Sequence, residues 1–216
     1  MKIIIKHLLL KTSLGQKLRQ LRHHNFMAVH QDKLAYSYLK HCSKILDVGC
    51  GTGRFISLNP KQIIGLDSNH ETLKLCRRKG YQVKCGSVIK LPYPVKSFTG
   101  LHCSHVIEHL QPQAAYQFLK EVSRVLKTNG ILIIRSPLPW KGFYDNLTHL
   151  KPYPPRAITR YLVEDAPDTT FPKLKSKFKL IALHYRYQPL IHPALYPLGI
   201  HSFQKNGYLL VLKKIS

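Results

Sequence analysis

At 216 residues and 44% hydrophobic content, the chain can bury the core of one ordinary domain and is too apolar to be disordered. Its 34 Lys and Arg against 10 Asp and Glu give a net charge of +24, spread evenly: residues 1–44, 45–140 and 141–216 each carry +8. That evenness excludes a dedicated nucleic-acid tail, while the diffuse positive field favours anionic partners such as a membrane surface, RNA or an acidic substrate.

The five cysteines, Cys42, Cys50, Cys76, Cys85 and Cys103, form no C-x-x-C pair and no ligand-spaced cluster. Reduced thiols in a cytoplasmic protein are expected. In the opening stretch, Lys6 and His7 split the apolar triplets Ile3–Ile5 and Leu8–Leu10, and no small-residue cleavage site follows. A mature N-terminus is expected there, not a signal peptide, and no segment is apolar enough to cross a bilayer. Leu14, Lys17, Leu18, Leu21 and Arg22, then Leu34, Tyr38 and Leu39, have helical spacing. Two helices are predicted within residues 1–43, one of them basic and amphipathic. Peripheral contact with an anionic membrane is a second use for such a segment.

The run Lys44-Ile45-Leu46-Asp47-Val48-Gly49-Cys50-Gly51-Thr52-Gly53-Arg54-Phe55 reads as a buried parallel strand delivering a tight glycine turn. A dinucleotide fingerprint would be G-x-G-x-x-G, but here the third glycine comes one residue early. The next apolar run, Gln62 to Asp67, ends in an acid able to accept both hydroxyls of a ribose. A ribose acid without a diphosphate cradle implies a nucleoside ligand carrying something other than phosphates. Asn59-Pro60 limits the intervening helix to about a turn and a half.

Ser68, with Glu71 three residues on, reads as a helix cap, and Arg77-Arg78-Lys79-Gly80 as its stop. A third strand is predicted at Tyr81–Cys85 and a fourth from Phe98. An amphipathic helix is predicted from Pro112 to Lys127, a fifth strand at Ile131–Ile134, and strands at Phe178–Tyr187 and Tyr208–Leu212. The alternating Lys173, Lys175, Lys177 and Lys179 suit an exposed strand edge.

ILDVGCGTGRF, IIGLDSN and LPYPVKSFTGLHCSHVIEHL, in that order and at ordinary spacing, resemble the successive motifs of class I S-adenosylmethionine-dependent methyltransferases of the type 11 group. The resemblance runs from about Ser43 to Pro139. It implies a Rossmann-like α/β fold: a seven-stranded, mostly parallel sheet with an antiparallel terminal strand and helices on both faces. Residues 44–216 would be the methyltransferase domain and residues 1–43 a helical cap. It also implies S-adenosyl-L-methionine as methyl donor, bound by Asp47, Gly49, Cys50, Gly51, Gly53, Asp67, Ser68, Ser87, Val88 and Ser104. Ser87 stands where the family usually has an aspartate for the adenine amino group, and Thr99 where an aspartate is common.

Cys103 to Leu110 falls at the carboxyl end of the fourth strand, the edge where open α/β sheets bind ligands. On a helical turn, His105, Glu108 and His109 would share one face. Two uses compete. The three can line the pocket where donor meets acceptor, or hold a divalent metal, since the order resembles the E-x-x-E-H of ubiquinone-pathway and small-RNA O-methyltransferases. His149 would then be a fourth ligand, and His105 replaces the first acid. The reading adopted gives His105, Glu108, His109 and His149 catalytic roles and assigns no metal.

Residues 136–160, rich in aromatics and prolines, read as a substrate loop, and Pro189–Gly199 as a lining of the acceptor site or a membrane contact. No Asn/Asp-Pro-Pro-Tyr follows the fourth strand, which lowers amino-group methylation. The expected acceptor is a small-molecule or lipid-type compound methylated at oxygen or carbon. RNA, or nucleoside binding without turnover, is the alternative.

Overall fold

The computed structural model describes residues 29–164, 170–172, 174–190 and 202–216. The chain divides into two units, Met1–Ser37 and Tyr38–Ser216. Residues 29–39 are helical (α1), as the Leu34, Tyr38, Leu39 spacing predicts. The basic helix expected around Leu14 to Arg22 and most of the 189–199 segment lie outside the described residues.

The larger unit is built on a seven-stranded sheet: β1 (Ile45–Val48), β2 (Ile63–Asp67), β3 (Val83–Cys85), β4 (Phe98–Ser104), β5 (Leu126–Pro137), β6 (Phe178–Leu190) and β7 (Ser202–Lys214). Their order is β3-β2-β1-β4-β5-β7-β6, parallel from β3 to β5, with β7 antiparallel to both its neighbours. This is the Rossmann-like arrangement expected from the sequence. All four residues of β1 are buried, as a central parallel strand covered on both faces requires. Strand order reverses between β1 and β4, which opens a crevice at their carboxyl ends.

Helix α2 (His70–Arg78) starts from Asn69, whose side chain accepts hydrogen bonds from the Glu71 and Thr72 amides. This corrects the expected Ser68 cap. Asn69 has the extended backbone a cap needs, and Ser68 is left exposed one residue outside. Arg77 and Arg78 in the last turn and Gly80 at φ +75° stop the helix as expected.

Helix α3 (Pro112–Val125) buries Ala115, Phe118, Leu119, Val122 and Val125 along one stripe. It passes directly into β5 at Leu126. The helix thus ends two residues before the predicted Lys127, and Asn129-Gly130 forms an irregularity inside the strand: Asn129 has φ +67°, and pairing with β4 shifts between Phe98↔Leu126 and Gly100↔Ile131. Helix α4 spans Pro155–Leu162. Strands β6 and β7 run longer than predicted. Of the lysine ladder, Lys173 lies outside the described residues, Lys175 and Lys177 precede β6, and Lys179 lies in it. All five cysteines are free.

Candidate active site

Strand β1 hands the chain to Gly49, Gly51 and Gly53, with φ of +72°, +50° and +79°. Packing dictates two of them. A Cβ on Gly49 would stand 2.3 Å from Val106 Cγ2, and one on Gly53 2.7 Å from the Tyr81 ring. Around Gly51 nothing lies within 4 Å of that position, so its backbone is open to a ligand's close approach. The helix expected after the loop shrinks to a single 3-10 turn, Ile56–Leu58.

Asp67, at the end of β2, braces this loop. Its Oδ2 accepts the Gly51 N–H at 2.8 Å and its Oδ1 the Asn69 N–H at 2.9 Å. Each carboxylate oxygen keeps a further acceptor direction, so the group can hold the loop and still take ribose hydroxyls. Cys50 is buried beneath, close enough to β2 that a Cβ on Gly65 would meet its Sγ at 2.7 Å. Burial first, then the Asp47 charge, pushes the Cys50 thiol well above its ordinary range, so it packs as a neutral group. Ser68 and Ser87 are exposed at the rim, and the Ser87 hydroxyl accepts only a long 3.4 Å bond from the Ile89 amide. Val88 packs half-buried against the core.

Asp47 is 3% exposed, and its Oδ1 receives His102 Nδ1–H at 2.7 Å. The His102 ring stacks on Phe55 at 3.7 Å, and its Nε2 has no hydrogen-bond partner among the described residues. Asp47, expected to touch the donor, is instead engaged in a buried pair spanning β1 and β4. Replacing His102 with leucine leaves that carboxylate unpaired. Urea unfolding is expected to show a loss of roughly 3–5 kcal/mol, larger than for the double change Asp47→Asn/His102→Leu.

At the end of β4 the expected helical face does not form. His105 sits at φ +56°, and the following 3-10 turn, Ile107–His109, keeps Glu108 against His105 but directs His109 away from that ring. Glu108 is fully buried. Its Oε1 meets His105 Nδ1 at 3.0 Å, and its Oε2 accepts the Ser136 hydroxyl at 3.1 Å. Burial raises the Glu108 pKa, but the hydrogen bond from His105, helped by its own backbone and nearby positive potential, outweighs this and holds the carboxyl below its usual range. His105 is shifted down, chiefly by desolvation and further by the Arg135 and Arg186 guanidiniums, although 40% of its side chain meets solvent. The pair is thus a carboxylate accepting Nδ1–H from a neutral imidazole, which leaves Nε2 as a lone pair.

His109 turns the other way, toward His149. The two rings are 5.0 Å apart, and Glu108, His109 and His149 bring ligand-capable atoms within 4.8 Å of one another. The sequence places these residues forty positions apart. Hydrogen bonds from the Leu150 and Lys151 amides to the Glu108 carbonyl, at 2.9 and 3.3 Å, close the gap. Tyr153 Oη–H adds a bond to the Leu110 carbonyl at 2.9 Å.

Sequence reasoning missed His102, Arg135, Ser136 and Arg186. Buried Arg135 donates from Nε to Ser104 Oγ at 2.8 Å, so Ser104 is engaged with β5. Arg186 donates to Asn206 Oδ1 at 2.8 Å. The available signal was a basic residue interrupting an apolar strand run, as in Ile131–Arg135 and Leu101–Cys103. A separate cavity of about 430 Å³ opens on the β6–β7 flank, lined by Leu138, Pro155, Leu183, Tyr185 and Lys205 among others, and no glycine-loop residue borders it.

A family model described as a methyltransferase domain matches residues 46–134. Over 94 residues the chain is 34% identical to a tRNA (carboxymethyluridine(34)-5-O)-methyltransferase of Arabidopsis thaliana, covering 43% of this chain and 23% of that one. Over 113 residues it is 32% identical to a probable S-adenosylmethionine-dependent methyltransferase of Mycolicibacterium smegmatis, covering 49% and 43%. The chain spans less than half the length of these curated relatives. Among solved structures, a SAM-dependent methyltransferase from Archaeoglobus fulgidus superposes with a TM-score of 0.68 at 22% identity, over 94% of this chain and all of that one.

Proposed function

From its membership of the class I S-adenosylmethionine-dependent methyltransferases, we propose that this chain transfers the methyl group of S-adenosylmethionine to an oxygen of a small-molecule acceptor. Residues 44–216 would be the transferase domain. Asp67 would take the ribose, with the backbone at Gly49–Gly53 against the methionyl part. The observation that carries this reading is the open glycine turn braced by Asp67 and the His105–Glu108 pair, which follow adjacent strands, β1 and β4, at their carboxyl ends.

The sulfonium is already an activated donor, so the protein's work is alignment and proton removal in a site that excludes water. His105 Nε2 takes the acceptor's hydroxyl proton while Glu108 holds Nδ1–H. The acceptor oxygen bonds to the methyl carbon as the sulfur–carbon bond breaks, and its electron pair passes to sulfur.

A second reading is an RNA acceptor. The net charge of +24 and similarity to proteins named tRNA methyltransferases favour it. Among the described residues no helix is long and apolar enough to cross a membrane, and nothing in them favours a lipid acceptor.

The test is incubation with methyl-labelled donor and separated small-molecule, RNA, protein and lipid fractions of a cell extract. Label in the small-molecule fraction is expected. Label in RNA, falling steeply with added salt, would favour the second reading instead. Failure to bind the donor at all would overturn both.

A further inference from the structure

We propose that Arg186 is an anion-recognition residue, holding a carboxylate or phosphate carried by the same small molecule whose hydroxyl is methylated. The inference rests on the methyl-transfer reading and narrows its acceptor to an oxyanion.

The sheet puts the guanidinium at the right level. Successive residues of a strand alternate between faces, and paired residues share one. Ser104, the last residue of β4, pairs with Arg135 on β5; Arg135 pairs with Leu209 on β7, and Leu209 with His184 on β6. Two residues further along β5, Pro137, Gly207 and Arg186 form the next row on the same face. At that level β4 has ended and His105 continues the chain. Gly207 has no side chain to fill the row, and Arg186 lies across it. A Cβ on Gly207 would stand 3.0 Å from Arg186 Nη2 and 3.2 Å from its Cζ and Nε. The guanidinium of this edge-strand residue is thus folded back over β7, and its charge reaches His105.

Its hydrogen bonding is incomplete. Nε donates to Asn206 Oδ1 at 2.8 Å, and Nη2 donates to the Asn206 carbonyl at 3.3 Å. These two bonds occupy the side of the guanidinium fork. The end of the fork, one N–H on Nη1 and one on Nη2 pointing the same way, has no partner among the described residues. Two parallel N–H groups match a carboxylate or phosphate edge. Asn206, itself buried, fixes the direction in which they point.

Charge leads to the same ligand. Both of Arg186's bonds go to neutral oxygens, and no described carboxylate forms an ion pair with it. The acid whose charge reaches it, Glu108, already has its oxygens held by His105 and Ser136. Desolvation, then the charge of Arg135, lowers the Arg186 pKa, yet a guanidinium stays charged at neutral pH. An oxyanion placed on the open fork supplies the counter-charge and takes up both donors. The net charge of +24 draws anions to the whole surface, whereas a fork held by Asn206 gives one of them a fixed orientation toward His105.

The experiment titrates the full isotope-labelled chain with acetate and with inorganic phosphate, first without and then with saturating S-adenosylmethionine, following the Gly207 amide by NMR. Saturable movement with at least one anion is expected, and the tighter of the two names the group. Arg186→Gln is expected to weaken it at least about fivefold. Arg78→Gln, an exposed control with the same charge change, leaves it as in the parent. Should Arg186→Gln fail to fold, Arg186→Lys, which keeps the charge and loses the fork, replaces it and weakens the anion at least about threefold. In the labelled-extract assay the methylated small molecule is expected to be retained on an anion exchanger. Arg186→Gln is expected to raise its KM at least about tenfold, with a smaller effect on kcat. No saturable movement, equal affinity in the parent and the Arg186 variants, an unretained product, or label found in RNA would overturn the proposal. Loss of donor binding by the parent would instead overturn the methyl-transfer reading, and the donor-free titration would still decide the anion site.

Discussion

Replacing His105 with asparagine is expected to slow methyl transfer by roughly 10²–10⁴-fold, the usual contribution of a positioned base. Asparagine tolerates the left-handed backbone at φ +56°, and its amide can still donate toward Glu108 Oε1. It cannot take a proton. The structural role is thereby kept and the chemical one removed, so donor affinity by calorimetry should stay within about twofold. A rate reduced less than about tenfold would mean that proton removal does not pass through this residue.

Replacing Asp67 with alanine is expected to raise the dissociation constant for S-adenosylmethionine by about two orders of magnitude. Two hydrogen bonds from ribose to a carboxylate contribute roughly 1.5–3 kcal/mol each, and each 1.4 kcal/mol is tenfold. The same change frees the Gly51 and Asn69 amides that Asp67 now holds at 2.8 and 2.9 Å, so the loop loses its brace as well as its ligand contact. Asp67→Asn separates the two effects. The amide oxygen can hold one of those amides and one hydroxyl, which gives an intermediate affinity. Unchanged affinity in the alanine variant would place the nucleoside elsewhere.

The glycine turn and the acid that braces it were legible in the sequence because their constraints are local. A buried run, three glycines and an acid at the next strand's tip specify β1, the turn and β2 with little help from the rest of the chain. The cluster beyond β4 depends on contacts that spacing does not encode. His109 was grouped with His105 on a helical face, but the positive φ at His105 breaks that helix, and the 143–151 loop draws His109 to a partner forty residues away. The partner of His102 was hidden for a related reason. A histidine in an apolar strand has no local signature of its carboxylate partner, which stands on the neighbouring strand at Asp47. Ser68 failed as a cap for a different cause: two adjacent residues both suit the role, and only backbone geometry chooses Asn69.

Strands β6 and β7 pair from Phe178↔Lys214 to Leu190↔Ser202, thirteen residues each, and their far ends reach the same edge of the sheet as the glycine turn. Whatever joins them can therefore vary in length or character without shifting any strand against its neighbour. Insertions or substitutions in that joint would therefore leave the sheet register, the glycine turn and its Asp67 brace as they are, so this part of the chain is free to diverge at its own speed.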